Sequence, residues 1–218
     1  PDDETLELLH DAARSLRIMI RSIEAPHSEI SHASAAQWKR LPLIVHDLAF
    51  SLGKKAVLKI ENSDVEIKGA ALKPLTESLS HIARNSVSHG IETPEERTAA
   101  GKPEMGMITL AVRRENENVL IELSDDGAGL SIDKIRRQII RQNLLPKAEA
   151  ASMPAENAYD FIFAPGFSTA EDVTPASGRG VGLDAARASI AALGGSIHVE
   201  SVPGQGVKFL ITLPAKHA

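Results

Sequence analysis

The spacing of the apolar residues changes once along this chain of 218 residues, near Lys55, and that change limits the folds open to it. Before Lys55, apolar residues recur every three or four positions, which is the period of an amphipathic helix. After it, short apolar or alternating segments typical of β-strands are interspersed with further helical segments. We therefore predict an α+β chain, with a helical domain at residues 1–54 and an α/β sandwich on a mixed sheet at residues 55–218.

The N-terminal region predicts two helices of similar length joined by a short turn. Residues 4–23 are predicted to form the first helix. The second begins at a cap on Ser34 and ends at Gly53, and Pro42 predicts a kink inside it. Because an antiparallel helical hairpin leaves one apolar stripe uncovered, we expect two copies to form a four-helix bundle, which makes the protein a homodimer.

The C-terminal region predicts paired strands and three further helices. The strands are expected at residues 56–61 with 64–68, at 107–114 with 118–125, and at 196–202 with 207–214. The helices are expected at residues 74–90, at 131–145 with a cap on Ser131, and at 182–195. Residues 146–178 predict a long loop with a short helix near residues 157–163.

Composition excludes several classes of function. The net charge of −5 argues against binding to nucleic acid, which needs a basic surface. The absence of cysteine excludes disulfides and thiolate metal sites. No apolar run reaches the ~20 residues that cross a bilayer, and the acidic start does not resemble a secretory signal. We expect a cytoplasmic protein without direct membrane insertion, with further sequence upstream of Pro1.

A polar stripe runs along the predicted helix at residues 74–90. His81, Asn85 and His89 lie four positions apart, beside an apolar stripe on the same helix. Such a stripe can be a solvated face, or a row of ligands pointing into a cleft. The helix by itself does not decide between the two.

Two glycine-rich segments offer groups that bind a ligand. Asp125 ends a predicted strand and is followed by Gly127 and Gly129, so a carboxylate there could accept from an exocyclic amine. The second segment, SGRGVGLD, places three glycines before a helix, where backbone N–H groups and the helix dipole favour phosphate. Its spacing is neither that of a Rossmann fingerprint nor that of a P-loop. Each motif alone also occurs in ordinary surface turns.

The order and spacing of these motifs resemble the ATP-binding domain shared by histidine kinases, Hsp90 and gyrase, and more narrowly the CheA-like chemotaxis kinases. The matching segments are HDLAFSLGKK, HIARNSVSHGIETPEERTAAGKPEMG, DDGAGL, FIFAPGFSTA and SGRGVGLD. The stretch PEERTAAGKP does not belong to ordinary sensor kinases and narrows the choice. The resemblance extends over about residues 38–214.

The resemblance implies ATP and Mg²⁺ as cofactors. It implies that Asn85 coordinates the Mg²⁺, that Asp125 accepts from the adenine amine, and that His81 is a catalytic residue near the γ-phosphate. It also implies an ATP lid at residues 146–178. The remaining ATP-binding residues that it implies are Arg84, His89, Gly127, Gly129, Phe163, Phe167, Gly178, Arg179, Gly180 and Gly182, with the two phenylalanines closing the lid.

Two positions depart from the chemotaxis pattern. Ser88 stands where an acid is usual, and Val207 stands where threonine is frequent. Neither change removes the implied metal or adenine ligand, but both concern how the phosphates are held.

The phosphoacceptor is left open by the sequence. His10 is followed by Asp11 and, six positions after the histidine, by Leu16, as in the phosphoacceptor helix of sensor kinases. A neutral imidazole is the nucleophile, and Asp11 could accept its proton. The acceptor could instead lie on another domain or protein, as in typical chemotaxis kinases, or be His46, which precedes another aspartate.

The resemblance implies a protein-histidine kinase core that passes phosphate to the receiver domain of a response regulator. A non-catalytic nucleotide-binding scaffold, or a histidine phosphotransfer module of similar fold, is the alternative. A serine kinase of the anti-sigma type would share the ATP fold but not the hairpin or the PEERTAAGKP segment.

Overall fold

A five-stranded mixed sheet organises the protein, whose computed structural model describes residues 37–61, 65–167 and 182–217. The strands are β1 (Ala56–Glu61), β2 (Gly106–Glu115), β3 (Asn118–Asp125), β4 (Ser196–Val202) and β5 (Gly206–Pro214). The strand order is β1-β2-β3-β5-β4; β1 pairs with β2 in parallel and the other pairs are antiparallel. This confirms the predicted α+β class and the mixed sheet.

Helices cover the apolar face of the sheet. The α-helices of the described residues are α1 (Arg40–Ser51), α2 (Leu72–Asn85), α3 (Pro94–Ala99), α4 (Ile132–Arg141), α5 (Lys147–Ser152), α6 (Ala155–Tyr159) and α7 (Leu183–Ala192). Short 3₁₀ turns at Gly69–Ala71, Asp160–Phe163 and Ala215–His217 accompany them, and a π-helical turn follows α2 at Ser86–Gly90.

The core lies between the central strands and the helices α2 and α7. Alternate residues of β2 and β3 are buried, which is why their sequences alternate with a period of two. From the helices, Leu75, Leu79 and Ile82 of α2 and Ile190 of α7 join them with no exposed surface. The sheet therefore fixes where the ends of α2 and β3 lie.

The predicted strand at residues 64–68 is wrong over its described part. Residues 65–68 have no regular secondary structure, and β1 pairs with β2 instead. The Gln37 side chain serves this backbone: its Nε2 donates to the carbonyl of Val65 at 3.1 Å, and its Oε1 accepts from the N–H of Ile67 at 3.1 Å. Val65 and Ile67 are both buried, so the segment has the alternating pattern of a strand without its pairing.

Pro42 does not lie in the middle of the helix that ends before Gly53. The described helix α1 begins at Arg40, so Pro42 falls in its first turn, where a missing N–H breaks no helical hydrogen bond. α1 packs against β1 and α2, and the adjoining Trp38 is fully buried. The first predicted helix and the Ser34 cap lie outside the described residues, so the hairpin stays a prediction.

The other predicted helices and strands are present, with differences at helix ends: α4 ends at Arg141 instead of residue 145, and the helix predicted at residues 74–90 ends as a π-helical turn. Ser131 caps α4 as expected, accepting from the N–H of Lys134 at 3.3 Å. The closing hairpin of β4 and β5 is present. Residues 147–163 are more helical than predicted, since α5 and α6 precede the final 3₁₀ turn.

Candidate functional site

Helix α2 places the polar stripe near the C-terminal end of β3. His81 and Asn85 are half-buried, whereas Arg84 is exposed. The π-helical turn then changes the period, with the N–H of Ile91 donating to the carbonyl of Ser86 at 2.7 Å. As a result Ser86 is buried while His89, which the uninterrupted helical spacing places in the stripe, is exposed.

His81 and Asn85 contact each other through their side chains. Asn85 Nδ2 lies 3.0 Å from His81 Nε2. Desolvation lowers the pKa of His81; Asp184 opposes this in part, and Arg84 adds a smaller lowering effect. The imidazole is therefore neutral at pH 7 and accepts from the amide, which leaves Asn85 Oδ1 available. None of the described residues donates a hydrogen bond to that oxygen.

Lys54 holds the backbone just beyond Asn85. Its Nζ donates to the carbonyls of Val87 at 2.9 Å and Ser88 at 2.8 Å. Desolvation lowers the pKa of Lys54, although Glu96 and Glu92 oppose this effect. Partial desolvation, and then the Lys54 ammonium, lower the pKa of His89. Lys54 therefore fixes the backbone at the end of the polar stripe of α2.

Asp125 is the last residue of β3 and is 8% exposed. Its Oδ1 accepts from the N–H groups of Gly127 at 3.0 Å and Val207 at 3.3 Å. Burial raises the pKa of Asp125, and these hydrogen bonds lower it only in part. The Val207 contact comes from the backbone, so the departure of its side chain from the chemotaxis pattern does not disturb it.

Two buried polar groups at this point are available to a ligand. Asp125 Oδ2 accepts no hydrogen bond of good geometry from the described residues. The Ser86 hydroxyl is buried without such a bond as well, although it lies near enough to Asp125 to lower the pKa of that carboxyl. Because buried polar groups are normally satisfied, this pair fits a ligand that supplies a donor, such as an exocyclic amine.

Glycines allow the end of α2 and the end of β3 to approach. A Cβ on Gly90 would lie 3.2 Å from Asp125 Oδ2, and one on Gly127 would lie 2.2 Å from the carbonyl oxygen of Gly90. Gly129 (φ +75°) and Gly206 (φ +106°) have conformations that favour glycine, and a Cβ on Gly206 would lie 1.8 Å from the Asp125 carbonyl oxygen. The structure therefore brings together the polar stripe of α2 and the turn after Asp125, which the sequence indicated as separate motifs.

The phenylalanines implied as lid residues lie in different environments. Phe163 is 3% exposed; its ring meets Phe209 edge-on at 6.3 Å, and the Arg187 guanidinium lies 4.8 Å from its centroid. Phe163 is thus a core residue of the described structure, and its implied role in closing the lid stays a prediction. Phe167 is half-buried and stays a prediction.

Of the predicted glycine-rich phosphate site, the structure describes Gly182, which is the residue directly before α7. His10, Asp11, Gly178, Arg179 and Gly180 lie outside the described residues.

Sequence reasoning missed Ser86, Gly90 and Gly206 as parts of the site. Gly90 and Gly206 are visible only as turn residues, because the atoms that exclude a side chain come from a distant segment. Ser86 falls on the buried side of α2 in the sequence pattern, where a hydroxyl among apolar residues was an available signal.

Comparison with known proteins gives the class of this chain. Residues 74–217 match the family model described as "Histidine kinase-, DNA gyrase B-, and HSP90-like ATPase". The chain belongs to this family, and it carries an ATP-binding domain.

The curated relatives narrow this to a CheA-like domain. The chemotaxis protein CheA of Halobacterium salinarum is 41% identical over 175 residues, or 80% of this chain and 26% of that protein. CheA of Bacillus subtilis is 40% identical over 177 residues, or 81% of this chain and 26% of that protein. This chain spans about a quarter of the length of these relatives.

A solved structure is also similar to this chain. The catalytic domain of the histidine kinase ThkA superposes with a TM-score of 0.49 and 16% identity, covering 84% of this chain and 92% of that one. Within the part of the chain that the structure describes, no helix is both long enough and apolar enough to cross a membrane.

Proposed function

We propose that this chain is the ATP- and Mg²⁺-dependent core of a protein-histidine kinase in chemotaxis-like or two-component signalling. The family match and the identity to CheA over four-fifths of the chain support this function. The observation that carries it is the close approach of Gly90 to Asp125, which sets the end of α2 against a buried carboxylate. A base and a triphosphate could then be bound along the same edge of the sheet.

The base is proposed to bind at Asp125. Its Oδ2 would accept from the adenine amine, with the Ser86 hydroxyl beside it. Gly127 and Gly129 allow the backbone to turn here without side chains that would fill the space. Hydrogen bonds to a charged acceptor contribute more than those to a neutral one, so we expect Asp125 to dominate recognition of the base.

The metal is proposed to bind at Asn85, whose free Oδ1 is a hard oxygen ligand of the kind that Mg²⁺ prefers. Among the described residues, no group of three or more His, Asp or Glu side chains could hold a metal alone. This fits a metal bound by one protein oxygen together with phosphate oxygens. Bound there, Mg²⁺ would offset charge on the phosphates during transfer.

The phosphate end is proposed to be completed by residues around Asn85. His81 orients the Asn85 amide, and the exposed side chains of Arg84 and His89 extend from the same region of α2 and the π-helical turn. Gly178, Arg179, Gly180 and Gly182 would supply amides and charge to the phosphates, and Phe167 would belong to the lid.

The phosphoryl group is proposed to pass to a histidine and then to a response-regulator aspartate. In the transfer, an imidazole nitrogen bonds to the γ-phosphorus, the bond to the ADP oxygen breaks, and an adjacent carboxylate takes the imidazole proton. His10 with Asp11, on the predicted hairpin that would also dimerise, is one candidate, and an acceptor on another domain is the second. His46 on α1 is the third: its Nδ1 lies 3.4 Å from Asp47 Oδ1.

Labelling of the full chain with γ-³²P ATP and Mg²⁺ tests the proposal. We expect an acid-labile, base-stable phosphohistidine on the chain or on an added phosphotransfer domain from a CheA system. Label that passes on to the aspartate of an added receiver domain should instead be base-labile, as an acyl phosphate is. The His10→Gln variant should lose the label if His10 is the acceptor, whereas His198→Gln, at an exposed position on β4, should keep it. ATP binding without transfer to any of these acceptors would instead favour the non-catalytic scaffold.

A further inference from the structure

Four charged side chains form a cluster directly behind the turn that follows Asp125. The four-charge cluster consists of Glu92, Arg97, Lys102 and Asp126. Arg97 has no exposed surface, and the side chains of Lys102 and Glu92 are only 17% and 15% exposed. The Arg97 guanidinium is therefore out of reach of a nucleotide, and its role must be exerted through other groups.

The segment that supplies the two cations folds back on itself. Thr93 and Glu96 form a capping box at the start of α3, and Gly101 (φ +74°) ends the helix. The N–H of Lys102 then donates to the carbonyl of Arg97 at 2.8 Å. This return loop brings the two cations side by side and turns both toward residues 126–127.

The cations bind the carboxylates of the cluster. Arg97 Nη1 lies 3.1 Å from Glu92 Oε2, and Arg97 Nη2 lies 2.8 Å from Asp126 Oδ2. Lys102 Nζ lies 2.7 Å from Glu92 Oε1. Burial alone would raise the pKa of Glu92, but Lys102 and Arg97 hold it below its usual range. The cluster is thus two cations against two carboxylates, with its charge balanced.

The same cations bind the backbone that carries the site. Lys102 Nζ donates to the carbonyls of Asp126 at 2.9 Å and Gly127 at 2.8 Å, and Arg97 Nη1 donates to the carbonyl of Asp126 at 3.3 Å. The N–H of Gly127 is, in turn, one of the two donors to Asp125 Oδ1. The peptides after Asp125 are therefore held by cations through their carbonyls and hold the base-binding carboxylate through an N–H.

We propose that Lys102 and Arg97 are positioning residues for nucleotide recognition, fixing residues 126–127 so that Asp125 presents Oδ2 to the exocyclic amine of the base. This inference rests on the proposed ATP-binding function. It also gives the PEERTAAGKP segment a physical role. Without the cluster, the turn could rotate and release the Gly127 N–H from Asp125.

Base selectivity distinguishes positioning from mere stabilisation. Inosine triphosphate carries an oxygen where ATP has the amine, so a correctly held Asp125 carboxylate rejects it. A variant that only destabilises the fold weakens binding of both nucleotides in proportion. A variant that releases Asp125 weakens ATP binding selectively, so the Kd for inosine triphosphate divided by the Kd for ATP falls.

Lys102→Met is the main test, because methionine keeps the chain length and removes the ammonium. We expect ATP affinity of the full chain, measured by calorimetry, to fall on the order of tenfold, with a much smaller change for inosine triphosphate. Glu92→Gln, which keeps size and removes one anchor of both cations, should lower the ratio by a smaller factor and serves if Lys102→Met does not fold. Lys59→Met is the matched control, since Lys59 pairs with Glu61 on the surface at 2.6 Å.

The outcomes separate this inference from the function on which it rests. If the parent chain does not prefer ATP to inosine triphosphate, the adenine contact of Asp125 fails, and the positioning role fails with it. If the parent discriminates and the folded Lys102→Met and Glu92→Gln variants keep the same ratio, the function stands and the positioning role is overturned.

Discussion

The base end and the phosphate end of the proposed cleft are held in different ways. At the base end, Asp125 is buried and receives two backbone donors, and the turn after it is fixed by Arg97 and Lys102. At the phosphate end, half-buried His81 and Asn85 hold each other, and a single ammonium, that of Lys54, holds the backbone beyond them.

This difference indicates what each end has to do. A base is a rigid, planar group, and a preformed carboxylate binds it with little loss of conformational entropy. A triphosphate with its metal changes geometry and charge during transfer, so groups that can adjust are suitable there. We therefore expect substitutions at the base end to change affinity, and those at the phosphate end to change the rate of transfer.

Asn85→Ala should have the largest effect. Loss of the proposed metal ligand should slow phosphoryl transfer by more than about a hundredfold, because the metal stabilises charge in the transition state. ADP affinity measured with EDTA should be unchanged, since the base end remains intact. If Asn85→Ala also lowered ADP affinity in EDTA, Asn85 would be needed for the fold of the cleft, and the proposed difference between the base end and the phosphate end would not hold.

Asp125→Asn should affect affinity and stability in opposite directions. Replacing the acceptor by an amide leaves a mismatch against the adenine amine, so ATP affinity should fall about 5- to 150-fold. Folding should not suffer, because the asparagine oxygen can still accept from Gly127 while the cost of burying a charge disappears.

The pH dependence of stability tests the second half of that prediction. Burial raises the pKa of Asp125 above 3.8, so between the two pKa values the folded state binds a proton that the unfolded state has lost. The stability contributed by Asp125 therefore falls as pH rises through this window. The Tm of Asp125→Asn relative to the parent should be higher at about pH 7.5 than at about pH 4. A variant that is less stable at both would mean that the carboxylate is favourable where it lies.

All five strands of the sheet could be predicted from sequence, as could the polar stripe of α2 and the turn after Asp125, because their signals are local. Alternation marks β2 and β3, and the glycines after Asp125 mark a tight turn whatever surrounds them. The residues themselves did not predict that the polar stripe and the turn after Asp125 meet at one edge of the sheet. That expectation came from the resemblance to a known family.

What the sequence could not predict depends on distant contacts. Residues 65–68 lack a strand because the side chain of Gln37 serves their backbone from 28 and 30 positions away. Arg97, on a short charged helix, looks like a surface residue, yet it is buried by carbonyls and a carboxylate up to 29 positions distant. Phe163 resembles a lid residue by position, but Phe209 and Arg187 hold it in the core.

His81 should give the smallest of these effects, because it acts on the metal ligand through Asn85. His81→Ala should slow transfer about tenfold, as expected for a residue that orients a ligand, and leave ADP affinity in EDTA unchanged. His81→Gln should lose less, since its amide oxygen can accept from Asn85 Nδ2. Equal rates for the two variants would mean that the contact at 3.0 Å does not orient Asn85.

The pH profile sharpens the assignment of His81. Because desolvation lowers its pKa below 6.5, the imidazole is neutral at pH 7 and above, and the rate of transfer should be flat there as far as His81 is concerned. Below 6.5 the unfolded state takes up a proton before the folded state does, so the stability linked to His81 falls as pH decreases toward the folded pKa. Transfer should then decline in both proteins as the acceptor histidine is protonated, but more steeply in the parent, where the protonated His81 ring also ceases to accept from Asn85. A profile of the same shape in both proteins would place the titrating group outside His81 and remove the evidence that a neutral imidazole orients the metal ligand.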